Sequence, residues 1–424
     1  MKRIIFLVFV FLFGMAIFAQ DADTGAGTTA QGVSTGPDMS YYTQMYNRAA
    51  ASFGERLQTL QTLESANLTG IGDWYYDALK LLLAKNPDIR TNADREAMED
   101  SARIICRGLG AEQYIQAAPE LWQLVQYADT IRAVNNGILM QDALNTLGQV
   151  GAVDYVPHIA LRLDNYNTSV TSDAESRRRI QRGVVGCISA LETLHDPRGY
   201  SPVFFASIGW YDQAIRTIAD DALPNIMEDP GEIISGIIRN PNNPPNVKYA
   251  AWQEMLRTRA SDDSKAMVAA TALATGWNYT TGDQSNQRIL REMRMSAIDT
   301  IRQYGVADDS VYADLKKSYN NNYISTAPNY DEIRKVFSTL SALKTDDAVE
   351  LLLGFLNELN ERRRFGPWGN KERDIFGWLV PSLGATRTPS REVRNVLSFI
   401  QSSSFYTSTE QNWARDALRE LGGL

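Results

Sequence analysis

Apolar residues recur at helical spacing in four separate segments of the chain. In the segments Val156–Leu163, Val349–Leu356 and Val393–Ile400, apolar residues stand at positions i, i+3, i+4 and i+7. The segment Tyr312–Tyr319 keeps most of this spacing. Such a period is typical of a helix with one buried face, and sustained alternation of apolar and polar residues, which would indicate strands, is almost absent. The pattern therefore predicts an all-α protein.

Short polar turns precede the amphipathic segments and recur along the chain. The turn residues are 33 to 46 positions apart, and they are Asp154, Asp196, Asp229, Asp263, Asp309, Asp347 and Thr388. Oxygen-bearing side chains at a helix start accept hydrogen bonds from free backbone N–H groups, and a carboxylate there faces the positive end of the helix dipole. A helix pair that repeats with a period near 40 residues is typical of an α-solenoid.

The N-terminal part of the chain divides into segments of different composition. Residues 1–19 begin with two basic residues, followed by an apolar run, Ile4–Phe13, which predicts a signal peptide cleaved at its end. An uncleaved membrane anchor is the alternative for this segment. Residues 20–38 have no apolar period, and we expect a flexible leader. A helical cap is predicted for residues 39–94 and a repeat array for residues 95–424.

Charge narrows the range of partners. The chain has 42 basic and 50 acidic residues, and removal of residues 1–19 leaves 40 basic residues, a net charge of −10. A protein that binds nucleic acid needs a basic face, so we expect no nucleic acid partner. No later segment approaches the length of a membrane span. The sequence predicts an exported protein, periplasmic or secreted, that is monomeric and has no membrane span after cleavage.

Candidates for catalysis or metal binding are few. His158 and His195 have no partner at ligand spacing, and we expect no metal and no cofactor. Cys106 and Cys187 lie on apolar faces of two separate predicted helices, which favours buried free thiols over a disulfide. The paired acids at the turns are interpreted as helix caps. The alternative is an exported hydrolase that acts on glycans, with loop carboxylates on a closed α/α toroid.

Two groups of residues are candidates for contact with a partner protein, because Arg and aromatic residues dominate binding hot spots. A long loop between repeats is predicted to present a basic and aromatic group: Arg362, Arg363, Arg364, Phe365, Trp368 and Lys371. The exits of second helices are predicted to form an aromatic rim: Tyr166, Trp210, Tyr211 and Tyr323. In the alternative interpretation the arginines complement a helix end, Trp368 packs back onto the array, and the tyrosines cover the core.

The segment Asp142–Ile159 resembles a HEAT repeat, including the lyase-type HEAT-like variant. In that family a first helix ends in Leu-Gly, as Leu147-Gly148 does here, before an Asp or Pro turn and a second helix. The segments Phe376–Pro389 and Trp413–Gly422 are similar to further copies. The resemblance implies a right-handed α-solenoid of about seven or eight HEAT-like helix pairs. It also implies binding or scaffolding without catalysis. Together with the predicted signal peptide, this favours a non-enzymatic protein-binding scaffold or adaptor in the periplasm or cell envelope, and a structural role in an envelope assembly is a further alternative.

Overall fold

A computed structural model describes residues 38–130, 136–366, 368–388 and 390–422. The predicted signal peptide and the leader up to residue 37 lie outside these ranges. Within them the chain forms α-helices, joined in places by short 3₁₀ turns, and no strand. The helices are α1 (Ser40–Asn47), α2 (Phe53–Ser65), α3 (Gly72–Lys85), α4 (Asn92–Ala111), α5 (Ala118–Ala128), α6 (Ile138–Gln149), α7 (Val156–Thr168), α8 (Ala174–Leu194), α9 (Tyr200–Ser207), α10 (Gln213–Ile226), α11 (Gly231–Arg239), α12 (Pro245–Arg257), α13 (Asp262–Asn278), α14 (Gln284–Tyr304), α15 (Ser310–Ile324), α16 (Tyr330–Leu343), α17 (Asp346–Phe365), α18 (Asn370–Ala385), α19 (Arg391–Ser402) and α20 (Ser408–Gly422). The prediction of an all-α protein is confirmed.

The helices pack on their neighbours along the chain and form two rows. In the even row each helix packs on the next but one, from α2 to α10 and again from α12 to α20. The odd helices form a second row, in which α3 packs on α5, α7 on α9, and α11, α13, α15 and α17 in succession. No close packing joins α1–α3 to α18–α20 in the described part of the chain. The rows therefore form an open α-solenoid, not a closed ring. Its handedness and repeat number stay predictions.

The predicted N-terminal cap is continuous with the array. Helix α4 begins at Asn92 and crosses the predicted boundary between residues 94 and 95. Helix α2 packs on α4 as α4 packs on α6, so residues before the boundary already belong to the even row.

One apolar core runs between the two rows. It extends from Tyr46 to Leu421 and contains the predicted stripes, for example Val349, Leu352 and Leu356 on α17. This stripe is buried because its spacing keeps it on the face of α17 that meets the even row. The hydrophobic pattern therefore located the core-facing side of the helices correctly.

Both cysteines lie in this core as free thiols, as predicted. Cys106 on α4 and Cys187 on α8 are fully buried. Helix α6 packs between these two helices, so the thiols cannot reach each other.

Hydroxyl side chains, more than the predicted Asp residues, cap the helices after the acidic doublets. Ser261 and Thr345 accept the cap hydrogen bonds of α13 and α17. Asp263 and Asp347 instead occupy the first helical turn, where they face the positive end of the dipole. Asp309 precedes α15 and makes no side-chain cap bond. The prediction that these three acids cap the helices is corrected: for α13 and α17, a shorter hydroxyl side chain just before the doublet reaches the free N–H group.

The glycine of the Leu-Gly motif allows neighbouring even helices to approach closely. A Cβ atom on Gly148 would lie 3.0 Å from the Cα atom of Ala190, and one on Gly384 would lie 2.6 Å from that of Ala417. A larger residue would push α6 from α8, or α18 from α20, because packed backbones leave no free space. This contact gives a physical reason for the motif.

Backbone packing between neighbouring helices is sparse in the middle of the array, although the apolar core continues through it. Helices α9 and α10 make no close packing with α11 or α12 within the described ranges. A cleft of about 460 Å³ lies there, lined in part by Tyr200 and Glu254. Across it, the guanidinium of Arg257 on α12 donates to both oxygens of Asp220 on α10, at 2.9 and 3.1 Å. Polar side chains thus bridge a junction where the backbones stay apart.

Candidate functional site

The basic segment predicted as a long loop is mostly helical. Residues Arg362–Phe365 form the last turn of α17, and α18 begins at Asn370. The prediction of a long loop is wrong, because the buried stripe of α17 continues to Leu359 and carries the helix onward. Arginines in the last turn also complement the negative end of the helix dipole.

Arg363 makes its contacts with other residues of the array. Its Nη1 donates to Glu410 Oε1 at 2.6 Å and its Nη2 donates to the carbonyl of Phe405 at 3.1 Å. The guanidinium lies 4.6 Å from the ring centre of Trp368 and 4.8 Å from that of Tyr406. Burial alone would raise the pKa of Glu410, but the hydrogen bonds from Arg363 and from its own helix start outweigh it and hold that pKa below its usual value. Arg363 therefore joins α17 to α20.

Trp368 and Lys371 also pack back onto the array, as in the alternative interpretation. Trp368 is half-buried and meets Phe376 edge to face, with ring centres 5.9 Å apart. Lys371 donates to the carbonyl of Tyr323 and lies over its ring. Tyr323 is buried, and its hydroxyl donates to Glu372 at 3.1 Å. The prediction that Tyr323 belongs to an exposed rim is wrong.

The other predicted rim residues are packed in the same way. Tyr166 and Tyr211 are buried and Trp210 is half-buried. Trp210 Nε1 donates to the carbonyl of Tyr166 at 3.1 Å, and the Tyr211 hydroxyl donates to Asn167 Oδ1 at 3.0 Å. The rim prediction is corrected here too, because these polar groups find partners between α7 and the exit of α9. Burial, the main cause, raises the pKa of Tyr166 and Tyr211, so both stay neutral hydrogen-bond donors.

Two arginines and three apolar side chains near the end of the array remain exposed. Phe365 at the end of α17 is 87% exposed, Ile324 at the end of α15 is 74% exposed, and Phe405 between α19 and α20 is 45% exposed. Arg362 is exposed, and its guanidinium lies 4.6 Å from the ring centre of Tyr323. Arg364 is exposed and has no hydrogen-bond partner among the residues that the structure describes. We call Ile324, Arg362, Arg364, Phe365 and Phe405 the C-terminal edge.

A groove that the sequence analysis missed lies between α15, α17 and α19. It has a volume of about 620 Å³, and one lysine, Lys316, lines it. Five carboxylates also line it: Asp309, Asp347, Glu350, Glu358 and Glu392. None of the five forms an ion pair within the described ranges, so the groove has a strong excess of negative charge. We call it the carboxylate groove.

The floor of the carboxylate groove is apolar and flat. Leu353 and Phe355 are buried, and Leu351 is half-buried. Gly354 is exposed, and a Cβ atom built on it would have no neighbour within 4 Å. A signal was present in the sequence: Glu350, Gly354 and Glu358 are spaced i, i+4 and i+8, which places them on one face of α17 away from its buried stripe.

Two features are absent from the described ranges. No cluster of three or more His, Cys, Asp or Glu side chains there has a geometry that could hold a metal ion. No helix described is long and apolar enough to cross a bilayer.

Comparison with known proteins gives a likeness of fold only. No protein-family model matches the chain, and no curated protein sequence matches it. Among solved structures, the crystal structure of importin beta in a polyethylene glycol condition is similar, with 10% sequence identity and a TM-score of 0.31. The alignment covers 90% of this chain and 54% of that one, so the chain spans about half the length of the importin beta chain. From its own helix packing, the chain is an all-helical repeat protein.

Proposed function

We propose that this chain is an exported, non-enzymatic scaffold that binds a basic, partly apolar segment of a partner protein in the carboxylate groove. The observation that carries the proposal is the set of five unpaired carboxylates, contributed by three successive odd helices and their starts, above an apolar floor. Lys and Arg side chains would pair with the carboxylates, while apolar side chains would cover Leu351 and the surface around Gly354.

The dimensions of the groove favour an extended segment. Packed helices lie about 8–10 Å apart, so a groove across three of them spans roughly 16–20 Å. An extended chain covers about 3.3 Å per residue, which gives a segment of about six residues. Each exposed ion pair contributes ~0.2–1 kcal/mol, and several together attract a basic partner over a longer range.

The location and the absence of catalysis belong to the same proposal. The basic start and apolar run of residues 1–19 support export to the periplasm or cell envelope. The open arrangement of the helices disfavours the glycan hydrolase alternative, which required a closed toroid. Partner binding along a row of helices is the common use of such arrays.

A direct binding assay tests the proposal. A fluorescent seven-residue peptide of alternating Lys and Leu is titrated with the mature chain, and its anisotropy is recorded at low and physiological salt. The double variant Glu350→Gln/Glu358→Gln should bind about fivefold more weakly, because two ion pairs are lost. The variant Glu361→Gln removes the same kind of charge from α17 outside the groove and should bind as the wild type does.

A capture experiment extends the test to natural partners. The mature chain and the two variants are used to capture proteins from the native envelope fraction, with chemical cross-linking to locate the contact. Partners that contact the groove should be lost from the double variant and kept by Glu361→Gln. Equal peptide binding by the wild type and the double variant would contradict the proposal.

A further inference from the structure

Exposed apolar side chains collect at one edge of the array in its later part. From α7 onward, five large exposed apolar residues lie at or just after the C-terminal ends of odd helices. They are Val170 after α7, Ile208 after α9, Ile324 at the end of α15, Phe365 at the end of α17 and Phe405 after α19. Alternate helices of a solenoid run in the same direction, so their ends lie along one edge. The last three of these residues belong to the C-terminal edge.

Contacts of the last turn of α17 hold this apolar group together. Arg362 lies over the ring of Tyr323, the residue before Ile324, and Arg363 donates to the carbonyl of Phe405 at 3.1 Å. Two consecutive arginines therefore connect Phe405 with Tyr323, the neighbour of Ile324. Phe365 is in the same helical turn as both. The three side chains stand on neighbouring modules at one end of the molecule.

These side chains are exposed outside the two clefts described above. None of the three lines the carboxylate groove or the cleft between α10 and α12. The core of a protein interface requires a complementary surface packed at high density. A lipid bilayer accepts isolated apolar side chains from loop and helix ends without such complementarity.

Charge selects the kind of bilayer. Arg362 and Arg364 precede Phe365 in the last turn of α17. Both are exposed, and neither forms an ion pair in the part of the chain that the structure describes. Exposed arginines beside apolar side chains are attracted to anionic headgroups. The chain as a whole has a net charge of −8, so an anionic surface repels most of the molecule. The exposed arginines of the C-terminal edge would therefore favour contact of such a surface with this edge.

We propose that the C-terminal edge docks reversibly on an anionic lipid membrane, with Ile324, Phe365 and Phe405 inserted among the headgroups. Arg362 and Arg364 bind lipid phosphates. The surface thus binds lipid, a different class of ligand from that proposed for the groove.

Vesicle flotation tests the proposal with the mature chain, purified after export. Vesicles of phosphatidylglycerol and phosphatidylcholine in equal amounts are compared with vesicles of phosphatidylcholine alone. We expect at least tenfold stronger partitioning to the anionic vesicles. Partitioning should fall about tenfold in Ile324→Ser/Phe365→Ser and about fivefold in Arg362→Gln/Arg364→Gln.

Two controls separate docking from other effects. Ile218 is exposed to a similar degree as Phe405 but lies within α10, away from the helix ends, so Ile218→Ser should partition as the wild type does. Glu350→Gln/Glu358→Gln should also partition normally, which distinguishes failure of this proposal from failure of the groove proposal. Circular dichroism melts of all variants report their folding.

Three results would overturn the membrane proposal. The first is no partitioning of the wild type to anionic vesicles. The second is equal partitioning to both kinds of vesicle. The third is unchanged partitioning of the folded variant Ile324→Ser/Phe365→Ser. Loss of a captured protein from that variant, without any vesicle binding by the wild type, would assign the edge to a protein partner instead.

Discussion

Removing one partner of the ion pair between Arg294 and Glu332 should strongly destabilise the array. The side chains are 9% and 0% exposed. Arg294 on α14 donates to both carboxylate oxygens of Glu332 on α16, at 2.9 and 3.2 Å. It also donates to the carbonyl of Gly276 at 2.9 Å, and its guanidinium lies 3.7 Å from the ring centre of Trp277. The pair thus joins α13, α14 and α16.

The magnitude follows from the burial of both charges. Glu332→Leu leaves the guanidinium buried without a counter-charge, and such a loss costs about 3–5 kcal/mol. Arg294→Met leaves the carboxylate in the same position, at a similar cost. The double variant removes both charges and replaces them with apolar side chains of similar size. It should cost no more than ~2 kcal/mol, partly for the lost bond to Gly276.

Urea unfolding followed by circular dichroism measures the free energy of unfolding of the wild type, both single variants and the double variant. The four values form a double-mutant cycle. Arg419→Gln is a matched control, because Arg419 on α20 meets Asp416 at 3.4 Å with both side chains exposed; its cost should stay below about 0.5 kcal/mol. A cost below ~1 kcal/mol for Glu332→Leu, or a double variant no more stable than either single one, would refute the reasoning.

Three further predictions concern packing, thiol reactivity and pH. Gly384→Ala places a Cβ atom 2.6 Å from Ala417 Cα and should cost about 1–3 kcal/mol, seen as a lower melting temperature; an unchanged one would show that α18 and α20 can separate freely. Burial raises the pKa of Cys106 and Cys187 to about 12, so neither thiol should react with Ellman's reagent until the chain is unfolded; rapid reaction of the native protein would contradict this burial. The pKa of Glu410 in the folded state lies below its usual value, so its stabilising effect is present above the usual pKa and is lost as the pH falls through the folded-state pKa. Glu410→Gln should therefore be less stable near neutral pH and show a shallower loss of stability on acidification, and parallel curves from urea unfolding at several pH values would exclude this role.

The spacing of apolar residues was enough to predict the helices and their buried faces. The stripe on α17 shows why, since residues four apart in sequence must share one face of a helix. The partners of polar groups could not be predicted in this way. The Tyr211 hydroxyl finds Asn167, 44 positions earlier, and only the packing of successive odd helices brings the two together.

The candidate sites were predicted only in part for the same reason. Arg362, Arg364 and Phe365 are exposed as predicted, and their role in binding stays a prediction. The segment that contains them was placed in a loop because the run of arginines hid the continuation of α17. The carboxylate groove depends on the gap between helices α15, α17 and α19, and sequence periodicity does not report such a gap.

The sparse backbone packing between α10 and α11 has a consequence for how the molecule responds to force and heat. In a repeat array each module is stabilised by its neighbours, so cooperativity passes along the chain through the contacts between neighbours. At this junction those contacts are the continuous apolar core and the Arg257–Asp220 ion pair, whose side chains are both partly exposed to water. The array should therefore bend or open at this junction before it does so elsewhere.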